Sequence, residues 1–200
     1  MKLLKMNQGE SALIQALYYL DDATLMAACQ SNSKIYFRVC RNIWISRIVN
    51  KFGLDINEIE RYRQGRTYGE YYFYLLNLSN ISDPNILHPI IERAILDNRL
   101  DIVKVGLTVF PRVAELDSDV LRNAIDSGHA EMVKLLLENG ANVHLDDDIM
   151  LFSAILNKEH SMELVILLLK AGATVNQIHI RTAEKYRPEV LELLKSYQNN

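Results

Sequence analysis

The chain has 200 residues, 49% of them hydrophobic, and a formal net charge of -3. That is enough apolar material for one or two compact domains, and the charge is divided unevenly: residues 1–80 carry ten Lys/Arg against seven Asp/Glu, residues 81–200 twelve against eighteen. A mildly basic half beside an acidic half that would repel phosphate gives no support for nucleic-acid binding, and no stretch of about 18 apolar residues offers a membrane span. The opening Met1-Lys2-Leu3-Leu4-Lys5 is soon interrupted by Asn7, Gln8 and Glu10, so it does not build the apolar core of a secretion signal. Cys29 and Cys40 each lie within an apolar helical pattern. Two cysteines are too few for a disulfide framework, so reduced, buried thiols and a cytoplasmic location are expected.

Residues 11–53 read as several short helices, with Asp22, Ser33 and Asn42 as N-caps ahead of apolar-periodic runs and Gly53 as a stop after Phe52. Residues 54–82 form a connection rich in aromatics: Tyr62, Tyr68, Tyr71, Tyr72, Phe73 and Tyr74. A helix from Thr67 to Leu78, capped by Thr67, places Tyr68, Tyr71, Tyr72 and Leu75 on one face. That face reads as packing at a module junction, because long amphipathic aromatics bury well there. The other reading is an aromatic anchor for a partner. Asp83-Pro84 marks the boundary between a module at 1–82 and one at 83–200, with Pro suited to a first helical turn.

Beyond that boundary the sequence copies itself. A shift of 30 residues sets Ala94-Ile95 on Ala124-Ile125 and Asp101-Ile102-Val103-Lys104 on Glu131-Met132-Val133-Lys134. A shift of 32 sets Leu135-Leu136-Leu137-Glu138-Asn139-Gly140-Ala141-Asn142-Val143 on Leu167-Leu168-Leu169-Lys170-Ala171-Gly172-Ala173-Thr174-Val175. Each unit reads as two short helices. Val120, Leu121, Ala124 and Ile125 face one way before the Ser127-Gly128 break, and a second helix from Ala130 stops at Asn139-Gly140. Helices this short are marginal alone in water, so they require stacking in an all-α solenoid. A last, partial unit at Glu189-Val190-Leu191-Glu192-Leu193-Leu194 gives about three and a half units, the final one a solvated cap.

The segment Gly128 to Val143 resembles the second half of an ankyrin repeat, and the resemblance extends over roughly residues 86–197. The Thr-Pro-Leu-His opening of that family is replaced by Asp119-Val120-Leu121-Arg122, and the shortened period falls in the turn before Leu151. The resemblance implies a protein target held by the repeat fingers and inner-helix ends: Asp97, Asn98, Asp126, Ser127, Leu156 and Asn157, flanked by His144, Leu145, Asp146, Asp147 and Asp148. The triple Asp reads either as an acidic tip for a basic partner or as a solvated turn in which Asp148 caps the next helix.

The run Leu20-Asp21-Asp22-Ala23-Thr24-Leu25, continued by Cys29, Ile35, Val39-Cys40 and Trp44, resembles an F-box, with Asp21 where that family usually has Pro. Its pairing with short-period ankyrin units is similar to proteins encoded by large DNA viruses. The resemblance implies that Leu20, Leu25, Ile35, Val39 and Trp44 serve as the surface or the core of a module docking the linker subunit of a cullin–RING ubiquitin ligase, in the host cytoplasm if the source is viral. The alternative is a binding scaffold in which these helices only cap the solenoid. An enzyme is not expected, nor a cofactor. His88, His129, His144, His160 and His179 show no metal-ligand spacing, the eight glycines form no phosphate loop, and no nucleophile elbow is present. His129, after Gly128, is expected to hydrogen-bond turn backbone.

Overall fold

The computed structural model describes residues 8–30, 34–111, 118–144 and 149–198, excepting the side chains of 8–11, 34–38 and 118. Among the described residues there are thirteen α-helices and no strand. The chain divides into two compact units, Met1–Asn77 and Leu78–Asn200.

The first unit is built on α1 (Gln8–Tyr18), α2 (Asp22–Cys29), α3 (Lys34–Phe52), α4 (Ile56–Tyr62) and α5 (Tyr68–Ser79), with α3 touching α1, α2 and α4. Asp21, and not Asp22, caps α2: its carboxylate accepts from the Thr24 N–H at 2.9 Å and the Thr24 hydroxyl at 2.6 Å. Those bonds, the hydroxyl's first, hold the Asp21 carboxyl below its ordinary range. Asp22 instead pairs with Arg47 and accepts the Tyr72 hydroxyl at 2.8 Å. Burial, followed by that bond, pushes the Tyr72 hydroxyl up to about 12.

Asn42 caps nothing, because α3 runs unbroken through it for 19 residues with Asn42 on its exposed side. Ser33 lies outside the described residues. Gly53 ends α3 in the left-handed region, as expected, with its N–H on the Val49 carbonyl.

Trp44, 2% exposed, sits 5.1 Å from the ring of Tyr72 and 5.8 Å from that of Phe73. Tyr71, Tyr72 and Leu75 are buried too, so the aromatic face of α5 is packing. Thr67 and Glu70 close the start of α5 through reciprocal backbone bonds of 3.3 and 2.7 Å.

The expectation of reduced thiols is corrected. Cys29 at the end of α2 and Cys40 in α3 are joined as a disulfide, their Cα atoms 5.8 Å apart, within the usual span. Counting cysteines missed what two adjacent helices folded back across a short connection can bring together. The inference to the cytoplasm that rested on free thiols falls with it. Among the described residues no helix is long and apolar enough to cross a membrane.

The second unit is four helix pairs: α6 (Pro84–Leu96) with α7 (Leu100–Val109), α8 (Ser118–Asp126) with α9 (Ala130–Glu138), α10 (Ile149–Leu156) with α11 (Ser161–Lys170), and α12 (Gln177–Tyr186) with α13 (Pro188–Gln198). First helices α6, α8, α10 and α12 follow one another in one layer, and α9, α11 and α13 in the other. Asp83 caps α6 through the Asn85 N–H at 2.9 Å, with Pro84 in the first turn. Gly140 and Gly172 close α9 and α11 with φ of 88° and 97°, and the following amides return to Leu136 and Leu168 at 3.0 Å.

Each layer buries a pair of apolar positions per turn. In α8 these are Val120, Leu121, Ala124 and Ile125, and in α10 Met150, Leu151, Ala154 and Ile155. In α9, Met132, Val133 and Leu136 are fully buried. The α7 start is held differently, by Arg99 clasping the fully buried Asp101 through bonds of 2.9 and 2.6 Å.

Polar side chains stitch one pair to the next. His129 Nδ1 lies 3.0 Å from the Ile95 carbonyl, Asn157 Nδ2 donates to the Ile125 carbonyl at 3.2 Å, and Arg187 donates to the Asn157 carbonyl at 3.2 and 3.1 Å. The accepting groups lie at the ends of α6, α8 and α10, where helix carbonyls lack intrahelical partners. His129 therefore does hydrogen-bond backbone, that of the preceding repeat.

Two stability measurements check this arrangement. Leu136→Ala should lose about 2–5 kcal/mol in a denaturant melt, whereas Glu131→Ala, on the exposed side of the same helix, should stay within about 0.5 kcal/mol. Cys40→Ser should lower the stability of the first unit by about 2–3 kcal/mol, and a thiol reductant should reproduce that loss in the wild type. Equal melts with and without reductant would mean that the bond adds nothing.

Candidate protein-binding surface

A helix in the first layer has one face committed to stacking, so its opposite face is free to vary. In α10 the free positions are Ile149, Phe152 and Leu156, which are 39%, 37% and 37% exposed. At spacings of three and four residues they form one stripe along the helix. The 30-residue shift carries these positions to Asp119, Arg122 and Asp126 in α8, where Arg122 and Asp126 pair at 3.6 Å. The pattern of buried residues carries them to Ile178, Arg181 and Lys185 in α12, all exposed. Thus three adjacent helices of one layer present an ion-paired stripe, an apolar stripe and a cationic stripe. The Lys185 ammonium lies 4.8 Å from the centroid of the Tyr186 ring, and its interaction with Tyr186 raises its pKa above the ordinary value.

The expected contact residues divide by what the turns demand of them. Asp97, Asp126, Ser127, His144 and Leu156 are exposed. Asp97 accepts from Arg93 at 2.8 Å, and such a surface pair contributes little to stability. Asn98 adopts φ 51° at the turn after α6, the place that Gly128 fills after α8; it is half-buried and shapes the turn. Asn157 is also half-buried and fully engaged. Besides the Ile125 carbonyl, it accepts from the N–H groups of Glu159 at 3.1 Å and His160 at 2.9 Å. It is a clamp between repeats, not an open contact. Leu145, Asp146, Asp147 and Asp148 lie outside the described residues.

Of the F-box-like set, Leu25, Val39 and Trp44 are buried and Leu20 is half-buried. The side chain of Ile35 lies outside the described residues. Among the described residues the exposed large apolar side chains of that unit are Tyr18, Tyr19, Val49 and Ile56, at 49%, 85%, 39% and 42%. Tyr18 and Tyr19 meet edge to face at 5.9 Å.

Sequence reasoning concentrated on turns and missed Ile149, Phe152, Ile178 and Arg181. The signal was present: each is an outward position in a helix whose inward positions the repeat already fixed. A concavity of about 950 Å³ lies on the other layer between α9 and α11, with Met162 and Ile166 among its lining. Its rim mixes Lys134, Lys158 and Lys170 with Glu138, Glu159, Glu163 and Glu189, and carries no single sign of charge.

The clamp can be checked directly. Asn157→Ala removes a bond across repeats and two within the turn, and should cost about 1–3 kcal/mol. Ser127→Ala, exposed in the preceding turn, should cost under about 0.5 kcal/mol. Equal melts would remove Asn157 from the interface between repeats.

The family model described as Ankyrin repeat matches residues 121–148, from within α8 through α9 into the following turn. No curated protein and no solved structure matches the chain. Residues 121–148 thus carry an ankyrin repeat, a non-catalytic protein-interaction unit, within an all-α solenoid of the ankyrin type.

Proposed function

We propose that this protein is an interaction adaptor whose first-helix layer, centred on Ile149, Phe152 and Leu156, holds a target protein. The observation that carries the reading is the exposure of three large apolar side chains in one stripe, where stacking requires none of them. The turn residues Asp97, Asp126, Ser127 and His144 border that surface in this reading. A photo-crosslinking residue at position 152 should capture a discrete protein from cells, and the same residue at Lys134 on the second layer should not. Equal capture at both positions would remove the assignment of the face.

Recruitment of a cullin–RING ligase through the F-box-like segment is the finer reading, and a cytoplasmic setting belongs to it. Its mechanism is proximity: holding two proteins at once raises the effective concentration of one near the other. The exposed Tyr18, Tyr19 and Val49 support it, since Leu25, Val39 and Trp44 are not accessible. The same burial supports the alternative, a binding scaffold whose N-terminal helices serve only its own packing. Retention of the purified linker subunit by the full chain, lost on Tyr19→Ser, would decide for recruitment. No retention, beside a positive-control F-box, would decide for the scaffold.

A further inference from the structure

The exposed stripe changes its chemistry from helix to helix, while the buried positions behind it stay apolar in α8 and α10 and admit His179 and Thr182 in α12. Along α8 it is Asp119, Arg122 and Asp126, with the one cation neutralised at 3.6 Å. Along α10 it is apolar throughout. Along α12 it is Ile178, 62% exposed, then Arg181 and Lys185. Arg181 has no ion-pair partner among the described residues. Glu184, three residues after Arg181, is its neighbour on the helix surface but forms no ion pair with it, and with Lys185 the row keeps a net positive formal charge. Across the layer, formal charge therefore runs from acidic at α8, through an apolar centre, to net positive at α12.

We propose that the face takes an acidic amphipathic segment of a partner protein, its apolar side chains on Ile149, Phe152, Leu156 and Ile178 and its carboxylates over Arg181 and Lys185. This rests on the reading of the first-helix layer as the target-binding surface and adds the chemistry of what binds. Complementarity selects the occupant. A basic segment would set like charge against Arg181 and Lys185, which costs affinity and slows encounter. An uncharged apolar segment would leave two cations beside an interface that excludes water, and burying a charge without a partner is expensive. Apolar side chains repeating every three to four residues match the spacing of the α10 stripe, as in a helix laid along a groove.

The test is selection of a random peptide library on the immobilised full chain, followed by affinity measurements on synthetic copies of the enriched peptides. Enriched sequences should carry apolar residues at spacings of three or four together with an excess of Asp and Glu. Their affinity should fall about tenfold on Phe152→Ser and on Arg181→Glu, and stay unchanged on Lys134→Glu in the second layer. Replacing peptide Glu by Lys should weaken binding to the wild type and restore it on Arg181→Glu. Ile149→Ser serves in place of Phe152→Ser if the latter fails to fold by melt.

Peptides that depend on Phe152 without an acidic excess would overturn the partner chemistry and leave the face as a binding surface. Peptides indifferent to Phe152→Ser and Ile149→Ser would remove the face itself. No enrichment, or a wild-type dimer that becomes monomeric on Phe152→Ser, would overturn the proposal, the last by naming a second copy of the chain as the occupant.

Discussion

The second unit depends on how its short helices end. Helices of 8 to 13 residues gain little from their own hydrogen bonds, because nucleation is costly and each leaves orphan carbonyls at its C-terminus. Stacking buries the apolar face but also brings those carbonyls toward the interior, where an unpaired polar group is expensive. Turn amides meet part of this need, Asn98 N–H on the Ile95 carbonyl and Gly128 N–H on that of Ile125, and each repeat adds a side chain to a carbonyl of the one before it: His129 to Ile95, Asn157 to Ile125, Arg187 to Asn157. Three different side chains do one task, so what the fold conserves along the stack is the bond and not the residue type.

Once the stack is held from behind and at the turns, the outward positions of the first helices are released from structural duty. Met150, Leu151, Ala154 and Ile155 are buried in α10 as their counterparts are in α8. Ile149, Phe152 and Leu156 have no such constraint, and neither do Asp119, Arg122 and Asp126. A surface free to vary, carried on elements that are not, is suited to recognition. The ion pairs on it, such as Arg122 with Asp126, are too solvated to matter much for stability, and their value lies in the field they present to a partner.

The first unit solves a different problem. Its helices are tied by contacts between dissimilar groups: a disulfide from α2 to α3, the Asp22 carboxylate shared by Arg47 and Tyr72, and Trp44 among the rings of α5. Unlike the stack, none of these recurs. The residues that most resemble an F-box are largely spent on this interior, which leaves Tyr18 and Tyr19 as the conspicuous exposed aromatics.

The sequence by itself determined the helical class, the pairing of helices at periods of 30 and 32 residues, and the stops at Gly53, Gly140 and Gly172. Each follows from rules that act within a turn or two: apolar spacing, capping and left-handed backbone. It also set Thr67 and Asp83 at helix starts, though it misplaced the cap at Asp22 by one residue and read a break at Asn42, an exposed polar residue that a helix tolerates. Only the tertiary structure decided that Cys29 meets Cys40, that Asn157 is consumed as a clamp while Leu156 beside it stays open, and that Phe152 and Arg181 lie on neighbouring stripes. Those outcomes join residues 11 to 32 positions apart, and local spacing carries no information about which distant carbonyl, thiol or ring a side chain will face once the helices are packed.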